Sequence, residues 1–266
     1  MKNEKICIEN KLHLDTILIN SKSLDMTKTS FMLLEICANS FESAQNAEKA
    51  GADRIELCSE LSVGGITPSY GLLKKVMNEL TIPVHVLIRP RSGDFTYTDE
   101  EFDIINENIN ICKELGVAGI VTGVLQKDNS IDYVRTQELI ELAKPLHFTF
   151  HRAFDCVSNP KEALQKLIDL GVETILTSGQ QPKAAQGIEL LQELLNNAGD
   201  HLTILAGGGV NPNNVQQFKN AGLKAVHASA SIITQANEED SYFGKTPQTV
   251  SDIHTIKQLI HNIHHA

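Results

Sequence analysis

The chain has 266 residues, of which 41% are hydrophobic and 21% charged, the balance of a soluble protein with a sizeable core, and this excludes disorder as its main state. Its 23 basic and 33 acidic residues leave a formal charge of -10, so most of the surface repels a nucleic acid, while a small anion in a local basic pocket stays allowed. Five cysteines in an odd set and ten histidines, with no CxxC zinc pattern, fit a reducing cytoplasm better than a secreted disulfide framework, and no apolar run is long enough to cross a bilayer.

Residues 1–31 alternate charge with short apolar pieces and contain no signal-peptide core. The expectation is an N-terminal extension that is mobile, or a reading upstream of a true start at Met26 or Met32, followed by one domain over 32–266. From there a phrase recurs four times: AGADRIEL (50–57), LGVAGIVT (115–122), LGVETILT (170–177) and AGLKAVHA (221–228). Each reads as a helix end running into a strand. Gly51, Gly116, Gly171 and Gly222 stand where a helix needs a left-handed residue to stop, and four residues on comes a β-branched strand centre, Ile55, Ile120, Ile175 or Val226.

The segments between supply further strands at 32–37, 83–89, 146–151 and 202–206, which makes eight. Helix starts alternate with them: Thr98 with Glu101 as a capping box, Asn159-Pro160 with Glu162, and Asn211-Pro212. The helix from Asp99 carries Phe102, Ile105, Ile109, Cys112 and Leu115 at the spacing of a stripe laid on a sheet. Eight strand–helix cycles predict an α/β fold, a closed (β/α)8 TIM barrel, with a doubly wound open sheet as the poorer alternative. A polar loop over 230–249 and a last helix over 250–263 complete the expectation.

In such a barrel the chemistry sits at the C-terminal ends of the strands. There the apolar runs are broken by Glu35 and Cys37, Glu56 and Cys58, Arg89 and Arg91, His151, Arg152 and Asp155, and His227 and Ser229. Side chains alternate along a strand, so each Glu shares a face with the Cys two residues on, and Glu35, Cys37, Glu56, Cys58 and Arg89 are expected inside the barrel. A structural ion pair of Arg89 with Glu35 or Glu56 would explain either carboxylate alone. It does not explain the whole ring, because each buried ion costs several kcal/mol before pairing returns some of it.

Cys7, Cys112 and Cys156 read as small hydrophobes. Cys37 and Cys58 stand on neighbouring strands, where two soft sulfurs without a full tetrahedral set favour Cu(I), although the nearby glutamates oppose thiolate formation. Gly207, Gly208 and Gly209 follow the seventh strand and precede Asn211-Pro212, a place for an anion cradle at a helix N-terminus, with hydroxyls from Ser229 and Ser231. His254, His261, His264 and His265 read as a solvated helix end, and His85 and His147 as satisfied core histidines.

Four phrases, GADRIELCSELSVGGITPS (51–69), IRPRSGDFTYTDEE (88–101), TFHRAFD (149–155) and LTSGQ (176–180), resemble the CutC family, described as copper homeostasis proteins. The resemblance runs from about Met32 to about Ser231 and implies a (β/α)8 barrel, a cytoplasmic location, homo-oligomers, and Cu(I) as the bound ion with Cys37 and Cys58 as ligands. Copper explains none of the arginines in these phrases. The second expectation is therefore an enzyme acting on a small anionic or phosphorylated metabolite. Its catalytic candidates are Glu35, Glu56, Arg89, His151 and Asp155, and its anion-binding candidates are Arg91, Arg152, Gly207, Gly208, Gly209 and Ser229, with Arg89 and Arg91 as a bidentate clamp. Hard-metal binding by Glu35, Glu56 and Asp155 is a variant of that reading.

Overall fold

A computed structural model describes residues 32–235 and 247–265, so the expectations for 1–31 and for Cys7 lie outside the described residues. From Met32 onward the chain is one unit. Its elements are β1 (Leu33–Ala38), α1 (Phe41–Ala50), β2 (Arg54–Leu57), α2 (Tyr70–Glu79), β3 (Val84–Leu87), α3 (Asp99–Leu115), β4 (Gly119–Thr122), α4 (Tyr133–Ala143) and β5 (His147–Phe150). There follow α5 (Pro160–Asp169), β6 (Thr174–Thr177), α6 (Ile188–Ala198), β7 (Thr203–Gly207), α7 (Val215–Asn220) and β8 (Ala225–Ala228). The first eight strands are parallel and pair in sequence order, and β8 pairs back onto β1, closing the expected (β/α)8 barrel.

The repeat explains why the chain folds this way. Gly51, Gly116, Gly171 and Gly222 have φ of 89°, 71°, 79° and 84°, the left-handed region that stops a helix. The β-branched residues four positions on, Ile55, Ile120, Ile175 and Val226, are fully buried. The Thr98–Glu101 capping box forms at the start of α3, which buries Phe102, Ile105, Ile109 and Cys112 and half-buries Leu115. Asn159 caps α5, with Pro160 opening it.

Two expectations change near the C-terminus. Asn211 does not start a helix: its N–H donates to Asn214 Oδ1 at 2.8 Å and its Oδ1 accepts from Asn213 N–H at 2.9 Å, a side-chain turn that delays α7 to Val215 and leaves it six residues long. Within the expected polar loop, β9 (Ser231–Gln235) and β10 (Gln248–Ser251) form an antiparallel pair, and Ser251 is tied to α1 through Ser43 and Asn46. The last helix, α8, runs over Ile253–His265. Among the described residues no helix is long and apolar enough to cross a membrane.

Period-two alternation divides each strand between two environments. On β1, Leu34, Ile36 and Ala38 join the main core beneath the helices. Cys37 instead joins Cys58, Leu87 and Val121, one of two small apolar patches inside the barrel, the other being Leu176, Leu205 and Ala225. The rest of the interior is polar, with Glu35, Glu56, His85 and Thr149 all buried.

Candidate functional site

The site begins with strand register. Glu35 on β1 lies opposite Arg54 on β2 and opposite His227 on β8, while Cys37 lies opposite Glu56. Glu35, with no exposed surface, accepts from Arg54 Nε at 2.5 Å and meets His227 Nδ1 at 2.7 Å. Burial alone would raise its carboxyl, but the His227 hydrogen bond and the Arg54 charge overcome this and hold it at about 2. Burial likewise opposes charge on His227, yet the Glu56 carboxylate and the bonds to Cys37 and Glu35 push the imidazole well above its ordinary range. This layer is thus a carboxylate between two cations. His85 stands beside it, its Nδ1 4.0 Å from Glu35 and without a hydrogen-bond partner, held at about 3 by burial.

One layer up, Cys37 Sγ lies 3.6 Å from Cys58 Sγ and 3.7 Å from Glu56 Oε1. The Cys58 hydrogen bond and burial raise the Cys37 thiol well above its usual range. Burial, helped by the Glu35 charge and opposed by His227, pushes the Glu56 carboxyl up to about 7, and its Oε2 is buried with no partner. Two sets of ligand atoms are close enough to hold one ion: Cys37, Cys58 and Glu56, and Glu35, Glu56 and His227. In the second set Glu35 is already committed to Arg54 and His227, so the sulfur set is the less engaged of the two.

Above this layer the mouth opens into a cavity of about 390 Å3. Cys37, Glu56 and His227 reach it from below, Arg89, His151 and Arg152 from the sides, and Gly208, Gly209 and Ser229 from the loops after β7 and β8. These are most of the residues that the strand ends singled out.

Several candidates are placed elsewhere. Glu35 and Cys58 lie beneath the cavity and do not line it. Arg91 turns outward, where it binds Glu101 through Nε at 2.5 Å and Asp94 through Nη2 at 3.1 Å and stacks over Tyr97, so Arg89 and Arg91 form no clamp. Both Nη atoms of Arg89 are spent on the Val63, Gly65 and Gly93 carbonyls, and it forms an ion pair with neither Glu35 nor Glu56. Asp155 lines the cavity, but its oxygens accept from Arg152, Thr177, Ser178 and Gln180, which makes it a brace for the loop after β6 rather than a proton carrier or metal ligand. Gly207 is an interior packing residue: a Cβ there would sit 2.5 Å from Leu176 and 3.2 Å from His227. With α7 so short, its N-terminus adds no dipole to the glycines.

His151 keeps its place at the mouth with a different character. Burial and the Arg89 charge hold it at about 3, so it is a neutral ring rather than an acid–base group near neutrality. His147 is satisfied by Thr174 and Glu173, whereas His85 is only partly so. His254, His261 and His264 are exposed, and the side chain of His265 lies outside the described residues.

The reading of the strand ends named His227 without giving it a role and missed Arg54 altogether. Arg54 opens β2 two positions before Glu56, so alternation alone places it inside, opposite Glu35. The signal was present in the period.

Residues 32–232 match the CutC family. A CutC family protein of Salmonella typhimurium is 51% identical over 201 residues, covering 76% of this chain and 81% of its own length. The solved CutC protein of Streptococcus agalactiae, a candidate copper homeostasis protein, superposes with a TM-score of 0.71 at 35% identity, over 75% of this chain and 99% of that one. Thiamine phosphate pyrophosphorylase from Pyrococcus furiosus, at 14% identity and a TM-score of 0.55 over 88% of this chain and 96% of its own, shares the fold alone. On the length and identity of these matches, the chain belongs to the CutC family.

Proposed function

We propose that this protein binds Cu(I) through Cys37 and Cys58 and acts in copper homeostasis, as the description of its Streptococcus agalactiae relative suggests. The observation that carries the reading is the pair of buried thiols 3.6 Å apart at the barrel mouth. One ion can touch both sulfurs. Two soft ligands in an apolar patch with Leu87 and Val121 favour a soft monovalent ion over the hard divalent ones. The four described cysteines are free thiols, which suits a reducing cytoplasm.

Because the Cys37 thiol is held protonated, binding must release protons, and apparent affinity for Cu(I) rises with pH. Anaerobic Cu(I) titration against a competing chelator tests the reading. Near-stoichiometric binding that is lost in the Cys37→Ser, Cys58→Ser double variant is the expected result. Equal binding by parent and double variant overturns it.

A further inference from the structure

The cavity above the thiols contains a buried charge without a counter-ion. Arg89 is 6% exposed, and among the described residues it makes no salt bridge. Its Nη atoms rest on carbonyls, it stacks on Phe95 and lies near the neutral Tyr97 hydroxyl, and its Nε is buried with no hydrogen bond of normal geometry. A desolvated guanidinium costs several kcal/mol unless an opposite charge offsets it. Neither acid on the cavity wall does so. Asp155 is consumed by Arg152 and the β6 loop, and Glu56 bonds to Cys37.

A second buried donor lies in the same wall. Ala153 N–H donates to His151 Nδ1 at 3.3 Å, so in the neutral ring the proton sits on Nε2, and that atom is buried without a partner. Across the mouth, Arg152 is 43% exposed; its Nε binds Asp155 and its Nη2 binds Ser178, while Nη1 lies 3.7 Å from where a Cβ would stand on Gly208. A side chain at Gly208 would press on Ser178 and fill this lip. Leu61, Leu87 and Leu176 make an apolar part of the remaining wall.

We infer that the cavity binds a small organic anion, its carboxylate or phosphate neutralising Arg89 and reached by Arg152 and the His151 Nε2–H, its short carbon body lying on the apolar wall. A volume of about 390 Å3 is that of a metabolite site rather than of an ion alone. The site adjoins the copper centre, since Cys37 lines the same cavity, but none of its three donors is a thiol.

Calorimetric titration of the copper-free, full-length protein with glycerol phosphate, with malonate and with uncharged glycerol tests this. At least one anion binds saturably at one per chain while glycerol does not, and the tighter arm identifies phosphate or carboxylate. Arg89→Met weakens that binding about 30-fold or more and Arg152→Met about tenfold, while Arg91→Met, altered outside the cavity, leaves it unchanged. Arg152→Met alone decides the matter should Arg89→Met fail to fold. No saturation by either anion up to about 20 mM, or losses in Arg89→Met and Arg152→Met no larger than in Arg91→Met, overturns the inference.

Discussion

Glu35 and the cavity above it handle buried polarity in opposite ways, although His85 Nδ1 beside Glu35 also lacks a hydrogen bond. Below, Glu35 has both oxygens engaged, by Arg54 and by His227, so each of the three charges has an opposite charge in contact. Above, Arg89 Nε, His151 Nε2 and Glu56 Oε2 are buried without a hydrogen bond. A polar group sealed from water without a partner costs about 1–3 kcal/mol, more if charged. The paired layer therefore reads as architecture, and the unpaired one as a surface whose partner comes from outside the chain.

The sharpest way to break this contrast is at Glu35. Glu35→Gln strands Arg54 and His227 as uncompensated buried cations, and the expected loss is about 3–5 kcal/mol in urea unfolding. A loss below about 1 kcal/mol would erase the distinction between the two layers.

Titration provides the next test. Glu35 has a depressed carboxyl, so its contribution is whole above its ordinary value of 4.5 and is lost only as pH falls from there through about 2. Glu35 itself is silent around neutrality, although its neighbours His227, raised above 6.5, and His85, lowered from it, are not. The upper layer responds there too. His151 is depressed from 6.5 to about 3, so stability is lost as pH falls below 6.5, and His151→Gln should remove roughly 2–3 kcal/mol of that loss between pH 6.5 and about 4. Glu56 is raised from 4.5 to about 7, so its contribution is whole below 4.5 and is lost as pH rises through 7; Glu56→Gln should flatten the alkaline side. Urea midpoints from pH 4 to pH 8 for the parent and both variants check each sign, and a parent profile unaffected by either substitution would contradict the contrast.

The smallest effect belongs to Arg89. Arg89→Met gives up hydrogen bonds to three carbonyls but also removes an uncompensated charge, so unfolding should change by only about 1–2 kcal/mol, well under the Glu35→Gln loss. A cost equal to that of Glu35→Gln would make Arg89 part of the architecture.

The barrel was legible in the sequence because its punctuation is local. A glycine and a β-branched residue four positions apart mark a helix end and a strand centre whatever lies elsewhere in the chain. The inward set was legible for the same reason, since Glu35 and Cys37, or Glu56 and Cys58, follow from a period of two. Orientation beyond the strand ends was not. Arg89 and Arg91 differ by two positions and would share a face if β3 continued, but the strand stops at Leu87 and the turn through Pro90 sends Arg91 out to Glu101. Asp155 read as a free carboxylate because its partners, Thr177, Ser178 and Gln180, are 22 to 25 residues away and meet it only once β6 is in place. The 230–249 segment read as a loop because the β9–β10 pair is exposed on both Ile232 and Ile233 and shows no buried alternation.

The Glu35 layer also ties together the two ends of the barrel. Its members come from β1, β2 and β8, with His227 standing 192 residues after Glu35. Without β8, Glu35 would keep Arg54 but lack one of its two partners. The arrangement rewards completion: the buried acid finds its last hydrogen bond only in the step that turns an open sheet into a ring. A product cut short before Ala225 lacks both the closing strand and that bond, so this residue distinguishes a finished barrel from an unfinished one in a single contact.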